Sequence, residues 1–158
     1  DEFIDKDLTM RDYLSEIILS FREISKKKFI FNHDQFSNVK KIAKSIEIVY
    51  GLRNFIGNAN KFSKKTIYIN LKSDSEFTEI TIEDDGNGYP KDVLSKIGEP
   101  YLRTKDPIEK SKAGLGLGLF IGKTLLEKNF ASINCRNSKT RSGAEVIIKW
   151  KNKDLINI

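Results

Sequence analysis

NFIGNANKFS, residues 54–63, combines an apolar helical pattern with polar side chains that a buried helix does not normally carry. Asn54, Asn58 and Lys61 are spaced at i, i+4 and i+7, so on a helix they share one face. Asn is a mediocre helix former and is usually exposed unless its amide is hydrogen-bonded. Two amides and an ammonium on one side of an apolar helix therefore require either solvent or a polar ligand.

Helices and a strand are predicted upstream of this segment. Thr9, followed by Asp12, has the spacing of a helix N-cap with a weak capping box. Apolar residues within 14–24 recur at helical spacing and predict the first helix. KKFIFNHD, residues 27–34, is rich in β-formers and predicts a short strand. A second helix is predicted from Ile42 into the opening segment.

Two pairs of alternating segments predict two antiparallel hairpins downstream. TIYINLK (66–72) and TEITIED (78–84) are joined by the turn-like sequence SDSE. ASINCRN (131–137) and AEVIIKWK (144–151) flank SKTRSG in the same way. Helices that alternate with strand pairs are typical of a mostly antiparallel sheet covered by helices on one face. We therefore predict an α+β fold, a two-layer α/β sandwich, in a single domain that spans residues 1–158.

The region between the hairpins is less regular. Pro90 can open a short helix that continues to Ile97. Residues 98–113 are polar and lack clear periodicity, which predicts a loop, and a loop of that length is usually functional or disordered. Residues 114–129, GLGLGLFIGKTLLEKN, begin with alternating glycines and become helical.

Composition narrows the functional class. The chain has a mean hydropathy of −0.43 and no apolar run near the ~20 residues that a membrane-spanning helix needs. Its net charge of +6 comes from scattered lysines, which favours a solvated surface over a nucleic-acid or membrane partner. Cys135 is the single cysteine, so an internal disulfide is excluded and an intracellular setting is indicated. The opening DEFIDKD lacks Met, and we expect a piece of a longer protein.

ITIEDDGNG, residues 80–88, places a carboxylate at the end of an apolar strand. Asp84 shares its parity with Ile80 and Ile82, so it points towards the core. An unpaired buried carboxylate is costly, so Asp84 needs a hydrogen-bond donor. Capping of the following turn and binding of a ligand amine are equally good interpretations of Asp84 alone.

The glycines Gly114, Gly116 and Gly118 precede a helix, where backbone N–H groups and the helix dipole favour phosphate. A Rossmann fingerprint is excluded because no strand precedes them and position 119 is Leu. A P-loop is excluded because Gly118 and Gly122 are one residue too close. A phosphate-facing lid is therefore favoured over a glycine-rich C-cap.

The polar row of the opening segment suits the same kind of ligand. The amide oxygen of Asn58 is a neutral ligand for Mg²⁺, which prefers oxygen donors and usually bridges to phosphates. Lys61 can reach a phosphate oxygen as a point charge. Taken alone, these residues also fit a solvated helix edge with a snorkelling lysine.

NFIGNANKFS, DDGNG, GLGLGL and SGAEV, in this order and spacing, resemble the ATP-binding domain of sensor histidine kinases. That family shares a superfamily with type II topoisomerases, mismatch-repair ATPases and heat-shock chaperone ATPases. The resemblance covers roughly residues 8–150. It implies a mixed sheet with three main helices, ATP and Mg²⁺ as ligands, and a mobile lid that ATP phosphates order.

The resemblance also implies roles for individual residues. Asn54, Asn58 and Lys61 match the N-box, in which Asn58 is the Mg²⁺ ligand and, with Lys61, serves catalysis. Asp84, rather than Asp85, matches the adenine-binding aspartate. Gly143 matches the last glycine box. The remaining nucleotide-binding positions implied by the motifs, which also include Asn54, are Gly86, Gly88, Arg103, Lys105, Gly114, Leu115, Gly116, Gly118 and Leu119.

Two departures from the family pattern concern the lid and a contact with adenine, and a third position separates kinases from hydrolytic members. Gly98 and Tyr101 stand where Phe is common, and Ala144 stands where Thr often helps to bind adenine through water. Hydrolytic members carry a Glu four residues before the metal-binding Asn, where it activates water as a general base. Asn54 occupies that position and cannot accept a proton at neutral pH, so a kinase is favoured over an ATPase.

The acceptor and the partners are expected on other segments. His33 is the only histidine, and its context predicts a strand end rather than a phosphoacceptor helix. We therefore expect the dimerisation and phosphoacceptor helices outside this chain, with a response regulator downstream and no nucleic-acid partner. The resemblance implies two-component signalling in the cytoplasm, as part of a membrane-anchored sensor. An anti-sigma-type serine kinase and a non-catalytic ATP-binding regulator are the alternatives.

Overall fold

The structure, a computed structural model, describes residues 8–34, 41–42, 45–95, 97 and 107–156, with the backbone alone at 41, 107–117 and 156. In these residues a five-stranded sheet forms one layer, and three long helices cover one of its faces. None of the helices found there is both long and apolar enough to cross a membrane. The elements are β1 (Leu8–Thr9), α1 (Met10–Ile24), β2 (Lys28–His33), β3 (Lys41–Ile42), α2 (Ile46–Phe62), β4 (Thr66–Ser73), β5 (Phe77–Asp84), α3 (Lys91–Leu94), α4 (Pro107–Lys128), β6 (Ser132–Asn137), β7 (Ala144–Lys151) and α5 (Asn152–Ile156).

The sheet has the strand order β2-β4-β5-β7-β6. β2 runs parallel to β4, whereas the other three adjacent pairs are antiparallel. The β4–β5 and β6–β7 pairs are the two predicted hairpins, and both are confirmed. A separate short pair, β1 with β3, and the C-terminal helix α5 are not predicted from the sequence.

The hydrophobic core lies between the helices and the inner face of the sheet. Ile67, Ile69 and Leu71 on β4 are at most 1% exposed, and Ile80 and Ile82 on β5 are at most 2% exposed. Their spacing of two residues puts them all on that inner face. Burial of each such side chain contributes about 1.5–3 kcal/mol, so the strand alternation fixes which face the helices cover.

The predicted capping box opens α1. The Asp12 N–H donates to Thr9 Oγ1 at 3.1 Å, and the Thr9 N–H donates to Asp12 Oδ2 at the same distance. Each side chain thus satisfies a backbone donor that the first turn would leave without a partner. The helix then buries Leu14, Ile17 and Ile18 against the sheet, as their spacing predicts.

Helix α2 begins at Ile46, so the predicted start at residue 42 is wrong. Ser45 is the N-cap, because its Oγ accepts the Ile48 N–H at 3.3 Å. Ile42 lies in β3 instead, where it pairs with Leu8. Ile42 and Ile46 are four residues apart, so a buried strand residue happens to continue the helical period.

Helix α4 begins at Pro107, which contradicts the predicted loop through residue 113. Proline is favoured in the first turn of a helix, and Glu, Lys and Ala after it are good helix formers. The alternating glycines at 114–118 consequently lie inside α4 rather than at its start. Helix α3 is shorter than predicted, because it ends at Leu94. The rest of the predicted loop, residues 98–106, lies outside the described residues.

Two glycines let α2 and α4 interlock. A Cβ atom at Gly51 would lie 2.6 Å from Leu126 Cγ, and one at Gly122 would lie 2.8 Å from Phe55 Cε2. Each glycine therefore receives a side chain of the opposite helix, and Leu126 and Phe55 are at most 1% exposed. This packing places the face of α2 that bears Asn58 against α4.

Candidate functional site

A cavity of about 210 Å³ lies between the C-terminal half of α2, the ends of β5 and β7, and the segment that follows β5. Its walls are mainly apolar, and Asn58, Asp84 and Asn87 bring polar side chains to it. The lining residues are Phe55, Asn58, Ala59, Phe62, Ile82, Asp84, Asn87, Gly88, Tyr89, Pro90, Ala144 and Val146. An apolar cleft with a few convergent polar groups is the usual form of a small-molecule site.

Asp84 is 4% exposed and lies on the inner side of β5, as its parity predicts. Its Oδ1 accepts the N–H groups of Gly86, at 2.8 Å, and Ala144, at 3.3 Å. Burial raises the pKa of Asp84, and these two hydrogen bonds oppose the rise. Within the described residues, Oδ2 has no hydrogen bond. One oxygen thus caps the turn while the other is left for a ligand, so the two interpretations of Asp84 are compatible.

Asp85, the next residue, has a structural role. Its carboxylate accepts the backbone N–H groups of Lys64, Lys65 and Thr66 at 2.8–3.2 Å, in the connection from α2 to β4. Partial burial raises the pKa of Asp85, but the hydrogen bonds from residues 65, 66 and 64 lower it further, and the net shift is downwards. The geometry therefore favours Asp84 over Asp85 as the aspartate that faces a ligand.

Asn58 carries a buried polar atom that is not satisfied by the described residues. Its Nδ2 has no hydrogen-bond partner there, although the residue lines the cavity. Its Oδ1 lies on the α4 side, where a Cβ at Gly118 would be 3.3 Å away. A buried amide group without a partner costs about 1–3 kcal/mol. Such a cost is typical of a residue kept for binding, because rotation of the amide can present either oxygen or nitrogen to a ligand.

Asn54 and Lys61 differ from Asn58, although the three share a helical face. Asn54 Nδ2 donates to Tyr50 O, one turn earlier in α2, at 2.8 Å. Lys61 is exposed, and its Nζ lies 5.3 Å from the centre of the Phe62 ring. Neither residue lines the cavity. Of the three residues predicted to act together, Asn58 therefore lines the cavity, whereas Asn54 and Lys61 do not.

Gly88 and Gly143 stand where a side chain would disrupt the cavity wall. Gly88 has φ +79°, and a Cβ there would lie 2.7 Å from Asn137 Oδ1. A Cβ at Gly143 would lie 2.0 Å from the backbone oxygen of Asp84. Both predicted glycines thus support the segment around Asp84 rather than merely allowing flexibility. Gly86 is buried beside them.

Residues 43–154 match the family described as histidine kinase-, DNA gyrase B-, and HSP90-like ATPase. The chain belongs to this family. Sensor histidine kinase RegB of Cereibacter sphaeroides is 38% identical over 119 residues, which are 66% of this chain and 26% of RegB. Sensor histidine kinase CpxA of Escherichia coli K12 is 29% identical over 87 residues, which are 55% of this chain and 19% of CpxA. The chain thus spans about a quarter or less of these curated relatives.

Solved histidine kinase domains have the same fold. The catalytic domain of histidine kinase ThkA gives a TM-score of 0.73 at 19% identity, over 93% of this chain and 96% of that domain. Mycobacterial sensor histidine kinase MprB gives 0.69 at 19% identity, over 92% and 97%. The predicted two-layer sandwich and the predicted resemblance are confirmed, and the chain is a histidine kinase-type ATPase domain.

The lid positions of this ATPase domain are only partly described. Gly118 lies beside Asn58, whereas Leu119 is fully buried in the core and does not line the cavity. Gly114, Leu115 and Gly116 lie on the α4 backbone, without described side chains. Arg103 and Lys105 lie outside the described residues. Their predicted contacts with a nucleotide, like that of Leu119, stay predictions.

His33 lies far from the cavity in the histidine kinase-type domain. It ends β2 and pairs in register with Leu71, whereas Asp84 pairs with Ile67 at the other end of β4. The imidazole is exposed, and its Nδ1 lies 3.4 Å from Asp34 O. The predicted position of His33 at a strand end is confirmed, and a phosphoacceptor histidine on another segment stays a prediction.

Sequence reasoning did not identify Asn137, which holds the segment behind Asp84. Its Oδ1 accepts the Tyr89 N–H at 2.6 Å, and its Nδ2 donates to Tyr89 O at 3.1 Å. The amide thus binds both backbone groups of a residue that lines the cavity, next to Gly88. The sequence offers only an Asn at a strand end as a signal, because the pairing spans 48 residues.

Proposed function

We propose that this domain binds ATP in the cavity and donates the γ-phosphoryl group to a histidine on another segment of a longer sensor kinase. The observation that carries the proposal is Asp84, a buried carboxylate in an apolar cavity with one oxygen left for a ligand. Because the chain spans about a quarter of its curated relatives, the activity of the whole protein belongs to the proposal.

Adenine recognition follows from the charge of Asp84. An ionised carboxylate accepts hydrogen bonds and donates none, so Oδ2 suits the exocyclic amine of adenine. Guanine presents a carbonyl oxygen at the equivalent place, which a carboxylate repels. Apolar side chains of Ile82, Val146 and Ala59 line the same cavity and suit the faces of a flat base.

Asn58 is the residue that fits a metal ion here. Mg²⁺ prefers oxygen ligands and is usually held by one or two protein groups together with substrate phosphates and water. The unsatisfied buried amide of Asn58 matches such a requirement, since rotation of the amide exposes its oxygen. When bound, Mg²⁺ would neutralise charge on the ATP phosphates.

Phosphoryl transfer needs positioning and charge neutralisation more than covalent chemistry. Lys61 is exposed at the end of α2, where its ammonium is free to reach a phosphate oxygen. We assign Arg103, Lys105 and the glycines at 114, 116 and 118 to the phosphate side of the site, as the family motifs imply. Asn54 supplies no general base, so the attacking group is a protein side chain rather than water.

The proposed partners are the dimerisation and phosphoacceptor helices of the parent kinase and a downstream response regulator. The proposed location is the cytoplasmic part of a membrane-anchored sensor. These assignments rest on the family and on the relatives that are named as sensor kinases.

The proposal is tested by adding radiolabelled ATP and Mg²⁺ to the chain together with the parent kinase's dimerisation segment. We expect label on a histidine of that segment, at a level that falls strongly with Asn58→Ala in this chain. Label on serine would favour the anti-sigma-type alternative. Tight ATP binding without any transfer would favour a regulatory domain and overturn the kinase proposal.

A further inference from the structure

Glu83 and Asp84 are consecutive residues at the end of β5, so their side chains lie on opposite faces of the sheet. Asp84 faces the cavity, whereas Glu83 lies on the face that the helices leave uncovered. Glu83 is nevertheless only 7% exposed. A carboxylate is rarely buried without donors around it.

The donors to Glu83 come from the turn that joins β6 to β7, residues 138–143. Glu83 accepts a close hydrogen bond from the Ser138 hydroxyl and a longer one, at 3.4 Å, from the Thr140 hydroxyl. Arg141 Nε donates to it at 3.3 Å. The Arg141 guanidinium also lies 3.6 Å above the centre of the Tyr68 ring on β4. The turn is therefore folded onto the outer face of the sheet, with Glu83 as its anchor.

The same turn also supports Asp84 from the cavity side. Ala144, the first residue after the turn, donates its N–H to Asp84 Oδ1 at 3.3 Å. Ser142 donates its hydroxyl to Gly86 O at 3.2 Å and has φ +31°, a conformation that L side chains rarely adopt. A backbone held in such a conformation needs contacts that over-determine it.

We propose that Glu83 is a positioning residue for base recognition, because it holds this turn so that the Ala144 N–H fixes Asp84 Oδ1. With Oδ1 fixed, Oδ2 keeps the direction that a base amine requires. This inference rests on the proposed binding of adenine at Asp84. Glu83 itself does not touch the cavity.

Glu145 provides a matched control. It is the cross-strand partner of Glu83, on the same face of the sheet, and pairs with Arg136. Its side chain is 13% exposed, compared with 8% for Glu83. The ion pair of Glu145 with Arg136 links opposite positions on β7 and β6, outside the turn. The contacts of Glu83, in contrast, are with residues of the turn itself.

The test compares Glu83→Ala with Glu145→Ala by calorimetry, using ATP and purine riboside triphosphate, which lacks the exocyclic amine. We expect Glu83→Ala to weaken ATP binding by about five- to ten-fold and the analogue by much less. Glu145→Ala should leave both affinities unchanged. In an Asp84→Asn background, Glu83→Ala should have no further effect on ATP, because the two residues act through one contact.

An equal loss for ATP and the analogue would overturn the inference, because it would show a general structural effect. If Glu83→Ala does not fold, Ser138→Ala removes one donor from the same carboxylate and should reduce the preference for ATP in the same direction. An unchanged preference in that variant would overturn the inference too. A wild-type domain that binds both nucleotides equally would instead contradict adenine recognition at Asp84, which is a separate failure.

Discussion

The two sides of the cavity differ in how far the protein satisfies its own polar groups. On the side of β5 and β7, Asp84 Oδ1 has two N–H donors and Asn137 binds both backbone groups of Tyr89. On the side of α2, Asn58 Nδ2 is buried without a partner in the described residues, and Lys61 is exposed. The backbone of the first side is held in place before any ligand arrives, although Asp84 Oδ2 is left for a ligand. On the second side, the buried Asn58 amide requires a ligand to satisfy it.

This difference separates two uses of binding energy. A pre-formed wall costs little to order when the ligand binds, so it gives affinity and selectivity for the base. A wall with an unsatisfied polar group gains its hydrogen bonds only when a ligand is present. Binding at the phosphate end of the site should therefore depend on which ion or group contacts Asn58. Substitution of a glycine that shapes the first side should therefore destabilise the free domain, whereas removal of the unpaired Asn58 amide from the second side should not.

The largest effect is expected on the pre-formed side, from Gly143→Ala. The new Cβ would lie 2.0 Å from Asp84 O and 2.3 Å from Asp84 Oδ1, so the strand end must shift. We expect a loss of about 1–3 kcal/mol in the free energy of unfolding and no detectable ATP binding by calorimetry.

Gly57→Ala is the control for that variant. Its Cβ would meet Phe21 Cζ at 3.5 Å, an ordinary contact, and alanine favours a helix by about 1 kcal/mol over glycine. It should keep ATP binding and raise stability. Normal ATP affinity in Gly143→Ala would show that the wall is adaptable and would remove the contrast between the two sides.

Asn58→Ala should have the next largest effect, with the opposite sign for stability. The change removes an unsatisfied buried amide, so chemical denaturation should show a free domain that is as stable as wild type or more stable. ATP binding should lose its enhancement by Mg²⁺, measured as affinity with Mg²⁺ or with EDTA. Survival of the magnesium dependence would assign the metal to another residue.

Asp84→Asn should weaken ATP binding by about 1–3 kcal/mol, the usual cost of spoiling a buried charged hydrogen bond. The exchange of carboxylate for amide keeps the volume and lets Oδ1 still accept from Gly86 and Ala144. Purine riboside triphosphate should bind both proteins about equally. Equal ATP affinities for wild type and variant would rule out adenine recognition by this residue.

The pH dependence of ATP binding and of stability should also report on Asp84. Burial raises the pKa of Asp84 above the ordinary value of about 3.9. Recognition of adenine needs the ionised carboxylate. On acidification, ATP affinity measured by calorimetry should therefore begin to fall at a higher pH than it would for an aspartate with an ordinary pKa.

The stability of the free domain should also depend on pH. The contribution of Asp84 to stability is present below the unfolded pKa and is lost as pH rises through the folded pKa. Asp84→Asn should thus be more stable than wild type at neutral pH, and the difference should vanish in acid.

The smallest effect is expected from Asn54→Glu, which tests the edge of the unsatisfied side. The isolated chain should show negligible ATP hydrolysis, because Asn54 cannot act as a base. A general base can contribute about 100-fold or more when it is positioned. The Asn54 side chain, however, bonds to its own helix at Tyr50 and does not line the cavity. We expect a gain far below that figure in a steady-state phosphate-release assay, and rapid hydrolysis by the wild type would show a base elsewhere.

Local rules predict most of the fold and two of the polar side chains that line the cavity, Asn58 and Asp84. Thr9 and Asp12 identify the start of α1, because both partners of a capping box lie in one turn. The parity of Asp84 with Ile80 and Ile82 predicts that its side chain points inward, because side chains in a strand alternate between the two faces. Spacing and residue type predict that Asn58 faces a ligand. The same spacing predicts this equally for Asn54 and Lys61, which do not line the cavity.

Contacts between distant segments account for what the sequence does not predict. Asn137 meets Tyr89 across 48 positions, and Glu83 meets Ser138 across 55. Neither pair has a periodic or local signature, so only the folded sheet brings them together. The start of α4 is missed for another reason, since the glycines at 114–118 argue against a helix although Pro107 and the residues after it favour one.

The interlocked glycines of α2 and α4 have a mechanical consequence. Leu126 packs against Gly51, and Phe55 packs against Gly122. The helices therefore cannot slide along one another unless both side chains lose these contacts together. Packed interfaces of this kind shift between discrete arrangements rather than deform continuously. The pair should therefore move as a single body. Angular change must then be absorbed where elements end, for example at Phe130, which follows α4 with φ +73° and is 63% exposed.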